Sequence, residues 1–313
     1  MLPLKEAIAA WLSRAVLGLV RALGRLPLPV VRGVGMVMGY MLFVLAVPRL
    51  RVVLVNLELC FPQWTREQRW SHALQTFVYF SQSWLDRGWL WEAPAQVLQQ
   101  RIRRVGNWEA LDQGGPVIIF SPHFYGLDAA ALAVSLRTTR QCTTIYTPQR
   151  NLLVDAWAAR GRQRFGDVRL MTRYDGVKSI VSLLRKDGLL FLLPDMNFGP
   201  EESIFVPFFG IPTATVPSLS RFARMGRARV IPLLARLTPQ GYDMEMLDAW
   251  EGFPTDDVAA DTALMNLRLQ GWIETMPAQY FWVHKRFKTR PAGEPSVYYS
   301  AGGATARSEV AAG

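Results

Sequence analysis

Short apolar runs alternate with segments of helical character from about residue 100 onward. The runs are rich in aliphatic and β-branched side chains, as in PVIIF at 116–120 and GLLFLL at 188–193. Strands that are apolar at every position are buried on both faces, as in parallel sheets with helices packed on each side. The alternation therefore predicts an α/β fold in which a mostly parallel sheet is flanked by helices.

The helices and strands of this region can be assigned from the spacing of their apolar residues and from the Gly and Pro residues that separate them. The predicted strands are 116–120, 141–147, 168–171, 188–193, 229–234 and 242–247. The predicted helices are 127–136, 152–165, 177–185, 218–225 and 257–274. A loop rich in Pro, Gly and Phe is expected over 194–212, and helices are expected within 56–100.

The first fifty residues combine a long apolar stretch with a cluster of arginines. Residues 7–24 have helical apolar spacing, with Arg14, Arg21 and Arg25 on one face, which predicts an amphipathic helix. Residues 33–47 are fifteen residues without a charge, fewer than the roughly 20 that cross a bilayer core. This stretch is typical of a membrane anchor, which either spans the membrane as a transmembrane helix or lies in it.

Two other interpretations of this stretch were weighed. A cleavable signal peptide is disfavoured because arginines interrupt the apolar run and no cleavage site follows it. An ordinary pair of core helices remains as the alternative. We expect an uncleaved anchor over 1–50, a globular domain over 51–300 on the cytoplasmic side, and a disordered tail over 301–313.

The basic residues are concentrated in the same N-terminal segment. The chain carries 35 Lys and Arg against 25 Asp and Glu, an excess of 10. Residues 1–51 hold seven basic residues and one acidic residue, and thus six of that excess. A positive charge on an apolar segment favours an anionic membrane surface as the partner, and nucleic acid is not expected.

The cysteines and histidines do not indicate a metal site or a disulfide. Cys60 and Cys142 are far apart and lack metal-ligand spacing, and the chain has three histidines in total. We expect reduced thiols, no metal site and no cofactor.

The strongest chemical signal is His123 with Asp128. His123 follows the predicted strand 116–120, and reactive groups in open α/β sheets lie at the carboxyl ends of strands. Asp128 stands in the first turn of the next helix, and Gly126 gives the intervening turn freedom. A carboxylate folded back onto the imidazole would make His123 a general base for an alcohol. The competing interpretation is a loop histidine beside a helix N-terminal charge.

Two other catalytic classes are excluded by missing motifs. Ser121 lies two residues before His123, but the chain has no G-x-S-x-G nucleophile elbow. It also has no P-loop and no dinucleotide-binding G-x-G-x-x-G after a strand.

The H-x-x-x-x-D pattern after a buried strand resembles the hallmark of the glycerolipid and lipid A acyltransferases, and the predicted fold is accordingly glycerolipid-acyltransferase-like. Further stretches resemble one branch, the late (secondary) acyltransferases of lipid A biosynthesis, of lauroyl/myristoyl type. They are NLELCFP at 56–62, LPDMNFGP at 193–200, FVPFFG at 205–210 and QYFWVHKRFKTRP at 279–291. Together with the anchor they cover nearly the whole chain, and the last is far more specific than the histidine motif.

The resemblance implies that 51–300 is an acyltransferase domain. The acyl group would come from acyl carrier protein and go to the hydroxyl of a 3-hydroxyacyl chain on a Kdo-bearing, phosphorylated lipid A precursor, at the cytoplasmic face of the bacterial inner membrane. His123 would deprotonate the hydroxyl, and Asp128 would orient His123. No covalent enzyme intermediate, metal or cofactor is needed.

Substrate-binding residues are less firmly indicated. An oxyanion and lipid phosphates call for fixed cations. The family's use of an arginine after the second predicted strand suggests Arg164, with Arg150 as another choice. The full set of candidates in this region is Arg150, Arg160, Arg162, Arg164 and Arg173. Asp195 resembles the acidic position of a substrate-binding block, although it equally suits a turn cap. Arg286 belongs to a basic cluster, His284 to Arg290, that suits phosphates or an acidic carrier protein, or is a solvated tail segment.

Two other functions remain open from the sequence. The same chemistry could act on lysophosphatidic acid or another amphiphile, although 205–210 and 279–291 speak against it. A non-catalytic membrane-surface binding protein is disfavoured by the intact His123 and Asp128. Acyl length, the acceptor chain and the oligomeric state are not encoded in recognisable patterns.

Overall fold

The computed structural model describes residues 4–298, apart from the side chains of residues 4–7 and 173. The predicted tail, 301–313, lies outside the described residues. The α-helices are α1 Leu4–Leu23, α2 Leu28–Leu45, α3 Val47–Cys60, α4 Arg66–Leu90, α5 Ala95–Arg101, α6 Leu127–Arg137, α7 Leu152–Arg162, α8 Val177–Arg185, α9 Ser218–Gly226 and α10 Val258–Thr275. The strands are β1 Ile102–Gly106, β2 Val117–Phe120, β3 Cys142–Ile145, β4 Val168–Met171, β5 Leu189–Leu192, β6 Ile204–Phe208, β7 Ile211–Thr215, β8 Arg229–Thr238 and β9 Gly241–Met246.

Seven strands form one sheet in the order β1-β9-β8-β2-β5-β3-β4. The five strands from β8 to β4 are parallel, and β9 pairs antiparallel with β8 and parallel with β1. The predicted α/β class with a mostly parallel sheet is confirmed. The central strand β2 lies between β5 and β8, so it is covered on both edges.

Helices cover both faces of the sheet, as the continuous apolar strands require. Side chains of β2 alternate between two cores: Val117 and Ile119 pack among α6 residues, whereas Ile118 and Phe120 pack among residues of α8 and α9. All four are completely buried. A strand with no polar side is stable only in such a position.

Two strand regions were missed from the sequence. The segment predicted as a loop, 194–212, contains β6 and the start of β7, which form a separate antiparallel hairpin. In this hairpin Pro207 pairs with Pro212. Because proline usually indicates a loop, the sequence of these two strands did not predict strands. Strand β1 was missed because its sequence, IRRVG, lies at the sheet edge and is mostly polar.

The N-terminal helices pack against the rest of the protein. Helix α2 lies along α4, and α1 contacts both α4 and α7. Among the described helices, α2 is the one that is long and apolar enough to cross a membrane, and 28% of its 18 residues are buried inside the protein.

Candidate active site

The neighbouring strands β2 and β5 end in the same local pattern. Phe120 pairs in register with Leu192, and each is followed by one residue, a proline and then a polar residue. Those polar residues are His123 and Asp195. Because parallel neighbours end at the same edge of a sheet, the register brings the two side chains together.

His123 and Asp195 make two hydrogen bonds. The His123 Nδ1 atom is 2.8 Å from Oδ1 of Asp195, and the His123 backbone N–H donates to Oδ2 at 3.0 Å. The Asp195 side chain is fully buried, while 22% of the His123 side chain is exposed. The carboxylate therefore fixes both the backbone and the ring of a histidine that solvent and substrate can reach.

The charge state of Asp195 follows from its surroundings. Burial by itself would raise the pKa of this carboxyl, but the charges of His123 and Arg286 and the hydrogen bonds from His123 outweigh it, so the pKa is held below its usual range. An ionised Asp195 accepts the Nδ1 proton of the neutral imidazole. Nε2 is then left with a lone pair that can take a proton from an alcohol.

The loop that carries His123 is held by the C-terminal block. The Phe281 N–H donates to the His123 carbonyl and the Tyr125 N–H donates to the Gln279 carbonyl, both at 3.0 Å. The Phe281 ring lies 6.3 Å from the His123 ring between centroids. Phe281 and Gln279 therefore hold in place the loop that carries the histidine.

The other stretches that carry the resemblance converge on the same place. Asn56, buried at the end of α3, donates to the carbonyls of Trp282 and His284 at 2.7 and 2.9 Å. The Asn197 backbone N–H donates to Nε2 of His284 at 3.4 Å. Burial, Arg286 and His123 lower the pKa of His284 to about 4. This histidine is therefore neutral at physiological pH and acts as an acceptor beside the site.

The hydrogen bond expected between Asp128 and His123 is absent, and this part of the sequence prediction is wrong. Asp195 occupies Nδ1 of His123 instead. Asp128 lies in the first turn of α6 and binds two arginines, with Arg87 Nε 2.9 Å from Oδ2 and both Arg162 Nε and Nη2 3.1 Å from Oδ1. The aspartate in the first turn of α6 is engaged by α4 and α7, so it cannot also fold back onto the imidazole.

The arginine pair leaves Asp128 ionised and a net positive charge beside the site. Burial would raise the pKa of Asp128, but the charges and hydrogen bonds of Arg162 and Arg87 hold it below its usual range. The two arginine side chains are 25% and 28% exposed. Each guanidinium has five N–H donors, more than this carboxylate engages. The cluster can thus present further donors to an anion.

Of the arginines proposed from the sequence, Arg162 is the one that binds Asp128. The guanidinium groups of Arg164 and Arg286 are used in other contacts, and Arg150 is exposed. Arg164 donates to the carbonyls of Leu90 and Ala93 at 2.7 and 2.5 Å, so its guanidinium holds the end of α4 in place. Arg150 is an exposed residue of the loop before α7. Arg286 is 1% exposed and donates to the Ala214 carbonyl and the Thr215 hydroxyl, which anchors the β6–β7 hairpin.

Two polar side chains near His123 are buried without a described partner. They are the hydroxyl of Ser121 at the end of β2 and the phenol of Tyr125. Burial raises the pKa of Tyr125 well above its usual range. Buried unpaired hydroxyls are uncommon and are often found where a substrate or water completes the network.

A cavity of about 700 Å³ lies away from these residues. It opens beside the edge strand β4 and helix α8 and is lined by Arg169, Asp175, Lys178 and their neighbours. None of the lining residues belongs to the His123 site. The chemistry of the strand ends therefore identifies the site better than cavity size does.

A histidine with an anchored carboxylate, at the carboxyl ends of central parallel strands, is an arrangement that α/β enzymes can use for proton transfer. The sequence profile of the family described as bacterial lipid A biosynthesis acyltransferase matches residues 2–289. The chain therefore belongs to the bacterial lipid A biosynthesis acyltransferases, and it is an acyltransferase.

Individual relatives agree over most of the chain. A lipid A biosynthesis acyltransferase of Haemophilus influenzae is 33% identical over 244 residues, which cover 76% of each chain. A lipid A biosynthesis lauroyltransferase of Escherichia coli is 30% identical and covers 92% of this chain and 95% of its own length. A lipid A biosynthesis palmitoleoyltransferase of the same organism is also 30% identical, with coverage of 92% and 94%.

Proposed function

We propose that this acyltransferase moves a fatty acyl group from acyl carrier protein to the hydroxyl of a 3-hydroxyacyl chain on a Kdo-bearing lipid A precursor, at the cytoplasmic face of the bacterial inner membrane. The observation that carries the chemistry is the contact of His123 Nδ1 with the buried Asp195. Family membership supports the lipid class of the acceptor. The apolar N-terminal helices and the basic excess support a membrane location.

In the proposed reaction, His123 acts through Nε2. It takes the proton of the lipid hydroxyl as the oxygen attacks the thioester carbonyl of the donor. The tetrahedral oxyanion then collapses, the C–S bond breaks, and the imidazolium returns its proton to the leaving thiolate. The products are an ester and a free thiol. Asp195 stabilises the imidazolium while it exists and keeps the ring in the productive tautomer.

Arg87 and Arg162 are our candidates for the cations that this reaction needs. They replace Arg164, whose donors are used on backbone carbonyls. Their shared contact with Asp128, five residues after His123, keeps them near the base. Their remaining donors suit the thioester oxyanion or a substrate phosphate. In this proposal, the role of Asp128 is to hold the two guanidinium groups in place.

The test is an acyl-transfer assay in membranes that contain the protein. Acyl carrier protein loaded with a defined acyl chain is mixed with the tetra-acylated, Kdo-bearing precursor, and the lipid product is weighed by mass spectrometry. We expect a mass gain of one acyl group that disappears in His123→Ala. Normal transfer by that variant would overturn the mechanism. Transfer to lysophosphatidic acid with none to the precursor would replace the proposed acceptor.

A further inference from the structure

The exposed faces of α1 and α2 are both apolar. Of the 22 large apolar side chains exposed among the described residues, 15 lie between residues 8 and 47. On each helix they recur every three or four positions, and hence on one face. We call the following set the apolar stripe: Ile8, Trp11, Leu12, Val16 and Leu19 on α1, and Val30, Val34, Val37, Met41 and Val44 on α2.

The opposite face of α2 is fitted closely to α4. A Cβ atom at Gly39 would lie 2.5 Å from Cα of Val78, and one at Gly35 would lie 2.9 Å from Cα of Gln82. Further along the helix, the Phe43 ring meets the ring of Phe77 edge-on, with centroids 6.0 Å apart. The two helices therefore stay in backbone-close contact over most of the length of α2.

A buried ion pair fixes the start of α2 to the same helix. Arg32 is 7% exposed, and its Nη1 lies 2.8 Å from Oδ2 of Asp86, which is fully buried. Tyr242 and Trp89 also donate to that carboxylate, at 2.6 and 2.9 Å. Separating α2 from α4 would leave a buried charge without its partner, which is strongly unfavourable.

These contacts decide whether α2 can cross a membrane. Helix α4 carries Arg66, Glu67 and Arg69 at one end and Asp86 and Arg87 at the other, and it also packs against α6 and the segment around Ala278. A spanning α2 would draw this polar helix, and the catalytic body with it, into hydrocarbon that cannot satisfy their polar groups. A position along the membrane surface leaves every contact intact.

We propose that a bilayer containing anionic lipid covers the apolar stripe, and that α1 and α2 lie along its interface without crossing it; this geometry rests on the membrane location proposed above. Four arginines in and next to these helices are exposed: Arg14 in α1, Arg25 between α1 and α2, and Arg49 and Arg51 in the first turns of α3. Each arginine near an anionic surface strengthens binding roughly fivefold. An in-plane helix with an apolar face and basic borders is the usual form of an interfacial anchor.

Depth measurements along α2 distinguish the two geometries. Nitroxide labels are placed in the full-length protein at Val30→Cys, Val37→Cys and Val44→Cys, which are seven residues apart and share one face. The protein is reconstituted in phosphatidylglycerol–phosphatidylcholine bilayers, and depth is read from the accessibility of each label to oxygen and to a water-soluble nickel complex. The unsubstituted chain, treated with the same label, gives the background signal from Cys60 and Cys142, which are free and buried. Leu267→Cys, on the exposed side of α10, is the control in water.

An interfacial α2 places all three labels at a similar depth, roughly 5–10 Å below the headgroups. A spanning α2 places Val37 near the centre of the roughly 30 Å core with Val30 and Val44 close to opposite surfaces, and that result would overturn the proposal. Labels as exposed to water as Leu267 would overturn it as well. The measurement needs no turnover, and repeating it in His123→Ala separates a failure of the geometry from a failure of the proposed reaction.

Vesicle binding gives an independent test of the partner. Val37 is 55% exposed, so Val37→Asp should keep the melting temperature of the protein while weakening vesicle binding at least about tenfold, since it removes a buried apolar side chain from the interface. Leu267→Asp should leave binding unchanged. Arg25→Gln should weaken binding roughly fivefold on vesicles with phosphatidylglycerol and have no effect on pure phosphatidylcholine. Equal binding by Val37→Asp and the unsubstituted chain would contradict the proposed surface.

Discussion

Asp195 and Asp128 are both buried carboxylates within reach of the same loop, but their partners differ. Asp195 contacts the ring and the backbone of His123, whereas Asp128 is enclosed by Arg87 and Arg162. In the proposed reaction, loss of the carboxylate that orients the base lowers the catalytic rate. Loss of the carboxylate that neutralises two arginines first lowers the stability of the local structure. Their substitution should therefore produce different defects.

We expect Asp195→Asn to lower kcat by two to four orders of magnitude, because the amide no longer selects the tautomer or stabilises the imidazolium. Asp128→Asn should instead lower the free energy of unfolding by about 3 kcal/mol, since it leaves two guanidinium groups facing each other. Steady-state kinetics and denaturant unfolding in detergent check both. An unchanged kcat in Asp195→Asn would contradict the proposed role of Asp195 in orienting His123.

His284 should make stability depend on pH in a defined window. Its pKa of about 4 in the folded protein lies below the ordinary value of 6.5. Between these values the unfolded chain binds a proton that the folded chain does not, so stability falls as pH is lowered through the window, by at most about 3 kcal/mol. Above pH 6.5 this contribution is complete.

The measurement is the free energy of unfolding at pH 7, 5 and 4 for the protein and for His284→Gln, which keeps an acceptor for the Asn197 N–H. We expect a shallower decline in the variant. Groups with other pKa values contribute equally to both proteins, so their effects cancel in the difference. Parallel curves would show that His284 takes up a proton in the folded state.

At the scale of elements, the fit between α2 and α4 depends on particular glycines. A Cβ at Gly39 would overlap the Val78 backbone, whereas one at Gly33 would meet nothing within 4 Å. Gly39→Ala should therefore lower the melting temperature by several degrees, because the helices must move apart at a cost of about 1–3 kcal/mol. Gly33→Ala should leave it unchanged or raise it, since alanine is the better helix former. Equal melting temperatures would contradict the close packing.

Much of the architecture was predictable at this scale because β2 and β5 are apolar at every position and their helices have clear periods. The partner of His123 was not predicted, although the sequence carries a signal for it. Phe-Ser-Pro-His at 120–123 and Leu-Leu-Pro-Asp at 192–195 are equivalent strand ends. Using that signal requires knowing that β5 is the neighbour of β2 although two other strands lie between them in sequence. Arg87 was missed for the same reason, since only the fold brings α4 to α6.

At the scale of the whole molecule, the packing of α2 against α4 bears on the predicted boundary between anchor and domain at residue 50. The sequence treats 1–50 as an anchor attached to a domain at 51–300, but Arg32, Gly35 and Gly39 complete the surface of α4. Removing them exposes Val78 and Gln82 and leaves the Asp86 carboxylate buried without its arginine. The anchor is therefore part of the folding unit of the catalytic body.

We expect the fragment 51–313 to aggregate or to lack a cooperative unfolding transition, while the full-length protein in detergent unfolds in one step. Size-exclusion chromatography and circular dichroism with temperature measure both. Arg32→Met in the full chain isolates the ion pair and should cost about 3–5 kcal/mol. Arg25→Ala is its matched control on an exposed position and should cost little. A monomeric 51–313 fragment with a sharp transition would show that the anchor is separable, and the catalytic body would then be free to move relative to the membrane. An inseparable anchor would instead hold the site at a fixed height above the membrane that we propose as the source of its lipid acceptor.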